Sequence, residues 1–145
     1  MAAVPGDQVV SAGMRTELLR LATRTSSEPR GRILFERGED ARGLYLVCSG
    51  KVSMYLEAGD LALPARIVGP GAVVGLPATV AGSTYSLTAE VIEQAELAFV
   101  PREIMLACLA ADPDLCFEVM RLLSGEIAGA RAAIKKVGTV RPPQA

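Results

Sequence analysis

Short runs of apolar residues separated by tight-turn residues fill the sequence from residue 33 to residue 100 and restrict the fold more than any other feature. Leu44–Cys48 is continuously apolar, which indicates a strand buried on both faces. Two later segments alternate apolar with polar residues, as in strands with one buried face: Val52, Met54 and Leu56, then Leu63, Ala65 and Ile67. Turns are predicted at Gly38–Asp40, Ser49–Gly50, Gly59–Asp60 and Gly69–Gly71. Six or more short strands with this spacing predict a mainly β fold, either a barrel or a sandwich.

Helical patterns flank this strand-rich region. Thr16 is predicted to cap a short amphipathic helix, and residues 101–110 are predicted to form a second one. A third, longer helix is predicted from Asp112, a good N-cap, and Pro113, which suits the first helical position. Gly138 supplies its stop. This helix has about 25 residues and a length of roughly 37 Å.

The long helix carries an apolar stripe with steps of three and four residues. Its members are Met120, Leu123, Ile127, Ala130, Ile134 and Val137. With Met120 at position a of a heptad, isoleucine occupies the later a positions, which favours a parallel two-stranded coiled coil. We therefore predict a homodimer held by this seam. The alternative is a helix that buries the same stripe on its own barrel.

Composition excludes several classes of function. The 145 residues include no histidine, so Ser–His–Asp and Cys–His catalysis and histidine-ligated metal or haem sites are excluded. Cys48, Cys108 and Cys116 are widely spaced among apolar neighbours and are predicted to be free thiols. The net charge of −1 gives no electrostatic case for nucleic acid or a membrane surface. We predict a protein that is not an enzyme, binds no metal and, without a secretory signal or a transmembrane run, is cytoplasmic.

Three segments resemble the cyclic nucleotide-binding domain, with the greatest similarity to the sensor half of Crp/Fnr-type bacterial regulators. They are Gly31–Asp40, Gly43–Val52 and Gly69–Gly75, and the likeness extends over about residues 16–137. The resemblance implies a double-stranded β-helix (jelly-roll) barrel followed by a long C-terminal dimerisation helix. The predicted organisation is a flexible tail over 1–15, the barrel with its flanking helices over 16–111, the dimerisation helix over 112–138 and a disordered tail over 139–145.

The resemblance also identifies a candidate ligand pocket. In the family, a glycine followed by glutamate, and an arginine before Ser or Thr about ten residues later, hold the ribose and the cyclic phosphate. Here Gly75 and Ser86 match, but Leu76 stands at the glutamate position and Tyr85 at the arginine position. Pro77 also removes one N–H donor from the loop. The candidate pocket residues are Gly75, Leu76, Ala78, Tyr85, Ser86 and Thr88.

The two substitutions bear on the ligand. A charge-assisted hydrogen bond contributes about 1.5–3 kcal/mol, so loss of both ionic anchors weakens cyclic AMP binding by a factor on the order of thousands. Tyr85 is in phase with Leu87 and Ala89, so its ring is expected to point into the barrel. It either fills the phosphate site as a core residue or faces a different, less charged ligand. No cofactor is predicted beyond a cyclic nucleotide or another small effector.

Crp/Fnr-type regulators continue into a DNA-binding helix-turn-helix domain after the long helix. Only residues 139–145 follow it here, and they include two prolines, so we expect no direct DNA binding from this chain. Two functions remain open. One is a sensory module that binds a small effector and signals through its dimer helix. The other is a ligand-free dimerisation module that pairs with a DNA-binding relative.

Overall fold

The computed structural model describes residues 9–124, and these form one antiparallel sheet with helices against one face. The elements in chain order are α1 (Ala12–Leu21), β1 (Arg24–Glu28), β2 (Ile33–Phe35), β3 (Gly43–Ala58), β4 (Leu61–Val68), β5 (Val73–Val74), α2 (Leu76–Ala81), β6 (Thr88–Pro101), α3 (Arg102–Ala111) and α4, which is helical from residue 113 to residue 124. The strand order is β1-β6-β3-β4, with β2 paired to β6 and β5 paired to β3. The predicted mainly β jelly-roll fold with flanking helices is confirmed.

The sheet separates two apolar cores because β3 and β6 are buried on both faces. Leu44 and Leu46 of β3 pack in a cluster with the helices, whereas Val47 belongs to the cluster inside the barrel. All three side chains are fully buried. The prediction that Leu44–Cys48 forms a strand buried on both faces is therefore confirmed, although Cys48 is only partly buried.

The predicted turn at Ser49–Gly50 is wrong, since β3 continues through it. The pairing of β3 with β6 shifts register at three points between Val47 and Val52, so this stretch is a series of bulges. Gly50 has φ +84°, and a Cβ there would lie 2.2 Å from the Gln94 carbonyl oxygen. The glycine therefore allows β6 to approach while the strand bends, and it does not reverse the chain.

A second bulge sets which residues of β4 face the barrel. The register shifts where Arg66 pairs with Met54 and Pro64 pairs with Tyr55. The predicted alternation of Leu63, Ala65 and Ile67 therefore does not mark the buried face. Arg66 and Val68 are buried instead, and the alternating residues are only half-buried.

The N-terminal boundary lies earlier in the chain than predicted. Helix α1 begins at Ala12, and the Ser11 hydroxyl caps it by accepting from the Met14 N–H at 3.1 Å. Val10 is buried, and its N–H donates to the Gly71 carbonyl at 2.8 Å. Thr16 is not the cap, because it lies within the helix and its hydroxyl donates to the Ala12 carbonyl. The predicted flexible tail is thus wrong for residues 9–15, and residues 1–8 lie outside the described part.

Helix α4 starts where the sequence predicts. The Asp112 carboxylate accepts from the backbone N–H groups of Asp114 and Leu115 at 3.1 and 3.2 Å, so its role as N-cap is confirmed. One face of α4 packs on the domain through Leu115, Val119 and Leu122, all of which are buried. The predicted seam residues Ile127, Ala130, Ile134 and Val137, the end of the long helix and the tail over 139–145 lie outside the described residues.

Helix α4 is also tied to the start of α1. The Glu118 carboxylate accepts from the Ser11 hydroxyl at 2.6 Å and from the Ser11 backbone N–H at 2.8 Å. It also lies 3.7 Å from the Arg121 guanidinium. A carboxylate at a helix N-terminus satisfies a backbone donor and interacts favourably with the helix dipole. Glu118 therefore joins two helices that are more than a hundred residues apart in sequence.

We predict that Ser11→Ala lowers the free energy of unfolding by about 1–2 kcal/mol, because both the cap of α1 and one bond to Glu118 are lost. The matched control is Thr16→Ala in the same helix, which removes an exposed hydroxyl that bonds back to its own helix. We expect that change to be neutral or slightly stabilising. Urea unfolding of both variants measures the difference. Equal losses for the two would show that Thr16 matters as much as Ser11.

Candidate functional site

The candidate pocket begins at a short helix held by two glycines. Gly75 is the N-cap of α2 with φ +86°, and Gly82 ends the helix with φ +70°. The Gly75 carbonyl accepts from both the backbone N–H and the hydroxyl of Thr79, at 3.1 and 2.7 Å. Pro77 lies in the first turn, so this turn offers one N–H fewer to a ligand. Residues 75–82, which we call the cradle, therefore form a short capped helix that offers few backbone N–H donors to a ligand.

Tyr85, for which the resemblance implies the position of the family's arginine, is almost completely buried, with 5% of its surface exposed. Its hydroxyl donates to the Gly43 carbonyl at 2.6 Å. Its ring stacks on Phe35 with centroids 3.8 Å apart and planes at 12°. Burial raises the pKa of the Tyr85 hydroxyl, and the hydrogen bond to the Gly43 backbone opposes this shift. Tyr85 therefore points into the barrel, as its phase predicts, and its polar end is already engaged there.

The ring of Tyr85 closes over Gly75. A Cβ at Gly75 would lie 2.9 Å from Tyr85 Cε1 and 3.3 Å from Phe35 Cε2. The two residues that the sequence placed in one pocket are therefore in contact. Their contact leaves no room for a phosphate between them, since even one methyl group would be too close.

The other candidate residues lie on different sides of the fold. Leu76 is fully buried in the cluster between the sheet and the helices, whereas Ala78 packs in the barrel cluster with Tyr85. Thr88 is buried, but its hydroxyl donates to Glu57 at 2.9 Å and accepts from the Arg37 N–H at 3.1 Å. The structure thus brings Gly75, Ala78 and Tyr85 together and directs Leu76 and Thr88 elsewhere.

Ser86 is exposed and borders a shallow groove outside the barrel. The groove has a volume of about 530 Å³, and Arg37, Glu57 and Thr84 also line it. Thr88, Glu57 and Arg37 form a hydrogen-bonded group next to it. Ser86 therefore faces solvent, in a groove that Tyr85 also lines.

Arg66 is a charged residue of the barrel face that the sequence pattern does not indicate. Arg66 is 9% exposed and lies on the same face of the sheet as Met54 and Val68, two members of the barrel core. Burying a guanidinium is costly unless it is paired, so such residues are rare in cores. The alternation of Leu63, Ala65 and Ile67 placed Arg66 outside, and only Pro64, which is typical of a bulge, could have indicated otherwise.

Comparison with known proteins identifies the family. The profile described as "Cyclic nucleotide-binding domain" matches residues 27–112, more than half of the chain. The chain belongs to this family. The match begins in β1 and ends at the N-cap of α4, so it contains every candidate pocket residue.

Bacterial regulatory proteins are among the relatives, and a lysophospholipase of Cryptococcus neoformans also matches at 25% identity, over 67% of this chain and 6% of that protein. The chain is 30% identical over 115 residues to the fumarate and nitrate reduction regulatory protein of Vibrio cholerae, covering 78% of this chain and 45% of that protein. It is 26% identical to the regulatory protein HlyX of Actinobacillus pleuropneumoniae, covering 77% and 47%. The catabolite activator protein of Thermus thermophilus has the same fold, with a TM-score of 0.74 at 24% identity, over 88% of this chain and 60% of that one. The predicted resemblance is confirmed.

The chain spans just under half the length of these curated relatives. Within residues 9–124 no helix is long and apolar enough to cross a membrane. The same part of the chain holds no group of three or more Cys, Asp or Glu side chains arranged to bind a metal ion.

We predict that Gly75→Ala destabilises the protein more than Gly31→Ala does. Both glycines have positive φ, so both variants bear a backbone cost of about 1–2 kcal/mol. At Gly31 a Cβ meets nothing within 4 Å, whereas at Gly75 it meets the Tyr85 ring. Overpacking adds about 1–3 kcal/mol at Gly75. Chemical unfolding measures both, and equal losses would mean that Tyr85 does not lie over Gly75.

We predict that Tyr85→Phe costs about 1 kcal/mol at neutral pH, because the Gly43 carbonyl loses a buried donor. Since the folded pKa of Tyr85 is raised, the fold favours the neutral phenol. Its contribution is complete below the unfolded pKa of about 10 and is lost as the pH rises through the folded pKa. The difference between wild type and Tyr85→Phe in free energy of unfolding should therefore shrink above about pH 10. A difference that grows there would contradict the placement.

Proposed function

We propose that this chain is the sensory module of a Crp/Fnr-type regulator, which responds to a small effector at the barrel and signals through a dimer formed by α4. Family membership and the regulatory names of its relatives support this proposal. The observation that carries it is the two-sided α4, which packs on its own domain with one face and presents large apolar side chains on the other. A cytoplasmic, non-enzymatic role is part of the proposal.

The effector is not recognised as the family recognises cyclic AMP. The side chain that stands for the phosphate-binding arginine is a tyrosine whose hydroxyl is held by Gly43. The side chain that stands for the ribose-binding glutamate, Leu76, is buried on the opposite side of the sheet. Neither position offers a charge to a cyclic phosphate or a ribose. The effector is therefore a less polar molecule, or it contacts other residues.

Helix α4 supports the dimer. Phe117 is 74% exposed and Met120 is 61% exposed, and both lie away from the buried residues Leu115, Val119 and Leu122. Met120 is the first member of the predicted seam. Leu123, the second, is partly buried against the apolar cluster between the sheet and the helices. Large apolar side chains on one helix face are typical of a surface that a partner covers. We infer that the seam starting at Met120 faces a second copy of the chain.

A chain of contacts connects the candidate pocket to α4. The Gly71 carbonyl, in the loop before β5 and α2, accepts from the Val10 N–H at 2.8 Å. Val10 precedes Ser11, which Glu118 of α4 holds by two hydrogen bonds. A displacement of the loop that leads to Gly75 would therefore act on α4 through this short N-terminal segment. We propose this segment as the route of the signal.

A second candidate function is a ligand-free dimerisation module that pairs with a DNA-binding relative. The stack of Tyr85 on Phe35 favours it, because these rings fill the space over Gly75. The two candidates share the α4 dimer and differ in the response to small molecules.

We predict that Met120→Glu shifts the protein from dimer to monomer at micromolar concentration, because it places a charge in the seam. Leu61→Glu is the matched control, since Leu61 is 66% exposed on β4, away from α4. We expect it to remain dimeric. Sedimentation equilibrium measures both, with Ile127→Glu as a second seam variant. A dimeric Met120→Glu, or a monomeric wild type, would overturn the proposed interface.

We predict that cyclic AMP and cyclic GMP do not raise the melting temperature of the wild-type protein, whereas a compound from a panel of less polar metabolites does. A ligand at a hundred times its Kd adds about 2.7 kcal/mol, a shift of a few degrees at this size. A shift with cyclic AMP would contradict the loss of the two anchors. The absence of a shift with every compound would reject the sensor in favour of the ligand-free module.

A further inference from the structure

A cleft opens at the end of the barrel where the loop between β2 and β3 meets the start of α3. Its volume of about 670 Å³ lies in the range of small-molecule sites. It shares the Tyr85 ring with the candidate pocket, but Gly75, Ser86 and Thr88 do not line it. It is thus a separate opening beside the closed cradle.

Aromatic rings form the floor of this cleft. Tyr45 and Phe99 lie with ring centroids 5.0 Å apart, and Phe35 connects Tyr45 to Tyr85. These are four of the six phenylalanines and tyrosines in a chain that has no tryptophan. Tyr45 and Phe99 are only half-buried, so ring surface reaches the cleft. Such a surface favours a planar aromatic ligand.

A planar cation, the Arg24 guanidinium, already packs on the aromatic floor of the cleft. The Arg24 guanidinium lies 4.3 Å above the centre of the Phe99 ring, and it donates to the Tyr45 hydroxyl at 3.4 Å. This contact is a cation–π interaction. The exposed position of Arg24 leaves it able to move aside or to cover a bound ring.

Charged side chains of both signs surround the rings. Two of the rim charges are already committed, because Arg102 donates to the Thr79 carbonyl and the Glu39 carboxylate accepts from the Glu36 N–H. Among residues 9–124, no side-chain hydrogen bond or ion pair involves Arg42, Asp40 or Glu103. All three line the cleft and are exposed or lie at its edge. Within the described part of the chain, the cleft therefore offers Arg42, Asp40 and Glu103 without a side-chain partner beside an aromatic floor, and Arg24 and Arg102 also line it.

We propose that this cleft binds a small aromatic zwitterion of the amino-acid class. The ring packs on Tyr45 and Phe99, the carboxylate pairs with Arg42, and the ammonium pairs with Asp40 and Glu103. Since both arginines and carboxylates line the cleft, a ligand with an aromatic ring and both charges matches this set of groups better than a simple anion or a simple cation. The proposed site does not depend on the proposed effector response, because the cleft is open in the structure while the cradle is closed.

The absence of tryptophan from the chain gives a direct assay. The full chain is titrated against L-tryptophan, with the indole excited at the red edge of its absorption, where tyrosine does not absorb. Binding raises the fluorescence anisotropy of the ligand. Indolepropionate, which lacks the ammonium, and tryptamine, which lacks the carboxylate, should each bind roughly tenfold more weakly or worse.

Variants test which side chain of the cleft binds each charged group of the ligand. Arg42→Gln should weaken L-tryptophan and indolepropionate by roughly tenfold or more and leave tryptamine unchanged. Asp40→Asn combined with Glu103→Gln should weaken L-tryptophan and tryptamine and spare indolepropionate. Arg30→Gln is the control for lost positive charge, because Arg30 is exposed in the turn between β1 and β2 and does not line the cleft. It should bind as the wild type does.

Two results would overturn the proposal. One is no saturable rise in the anisotropy of a fixed, low concentration of L-tryptophan as the protein is raised to roughly 1 mM, an affinity too weak for a specific site. The other is equal affinity for the three compounds, or binding that Arg42→Gln does not change. Neither result would affect the α4 dimer or the cyclic AMP prediction, which are measured without this ligand.

Discussion

The stacked pair of Tyr85 and Phe35 fixes the part of the molecule on which its function depends. The Tyr85 hydroxyl ends on the carbonyl of Gly43, the first residue of β3, and its ring covers Gly75, the N-cap of α2. One side chain thereby joins β2, the start of β3 and the cradle helix. An arginine at the same position would need a negative charge from a ligand to be stable there. A tyrosine is stable alone, so the cradle is complete without a nucleotide.

Because the cradle is closed, the exposed face of α4 is the surface that remains available for contacts. Helix α4 is held to the domain by Leu115, Val119 and Leu122, and Glu118 attaches it to the start of α1. Its other face carries exposed apolar side chains, of which Met120 belongs to the predicted seam. Under the proposed function, this face of α4 is the surface through which the domain contacts a second copy, and the N-terminal segment connects it to the loop before Gly75.

Much of this could be predicted from sequence, and the exceptions have a common cause. Periodicity located most strands but not β1, and the capping residue Asp112 located the start of α4. The likeness to the family implied the departures at Leu76 and Tyr85. The predictions were wrong at the bulges. Gly50 allows β6 to come close to β3 instead of forming a turn, and the register shift next to Pro64 turns Arg66 toward the buried face of β4. An extra residue in a strand reverses every following side chain, and periodicity alone does not show where it lies. Long-range capping has no local signal either, so the partner of Ser11 could not be predicted.

The most direct test of the central claim is an NMR titration of the isotopically labelled protein with cyclic AMP, following the backbone amide signals of Gly75, Leu76 and Ser86. We expect none of these signals to move at millimolar nucleotide, because the Tyr85 ring occupies the space over the cradle. Saturable shifts at Gly75 and Ser86 together would contradict it. They would mean that Tyr85 leaves Phe35 and that cyclic AMP binds without its two usual charged partners.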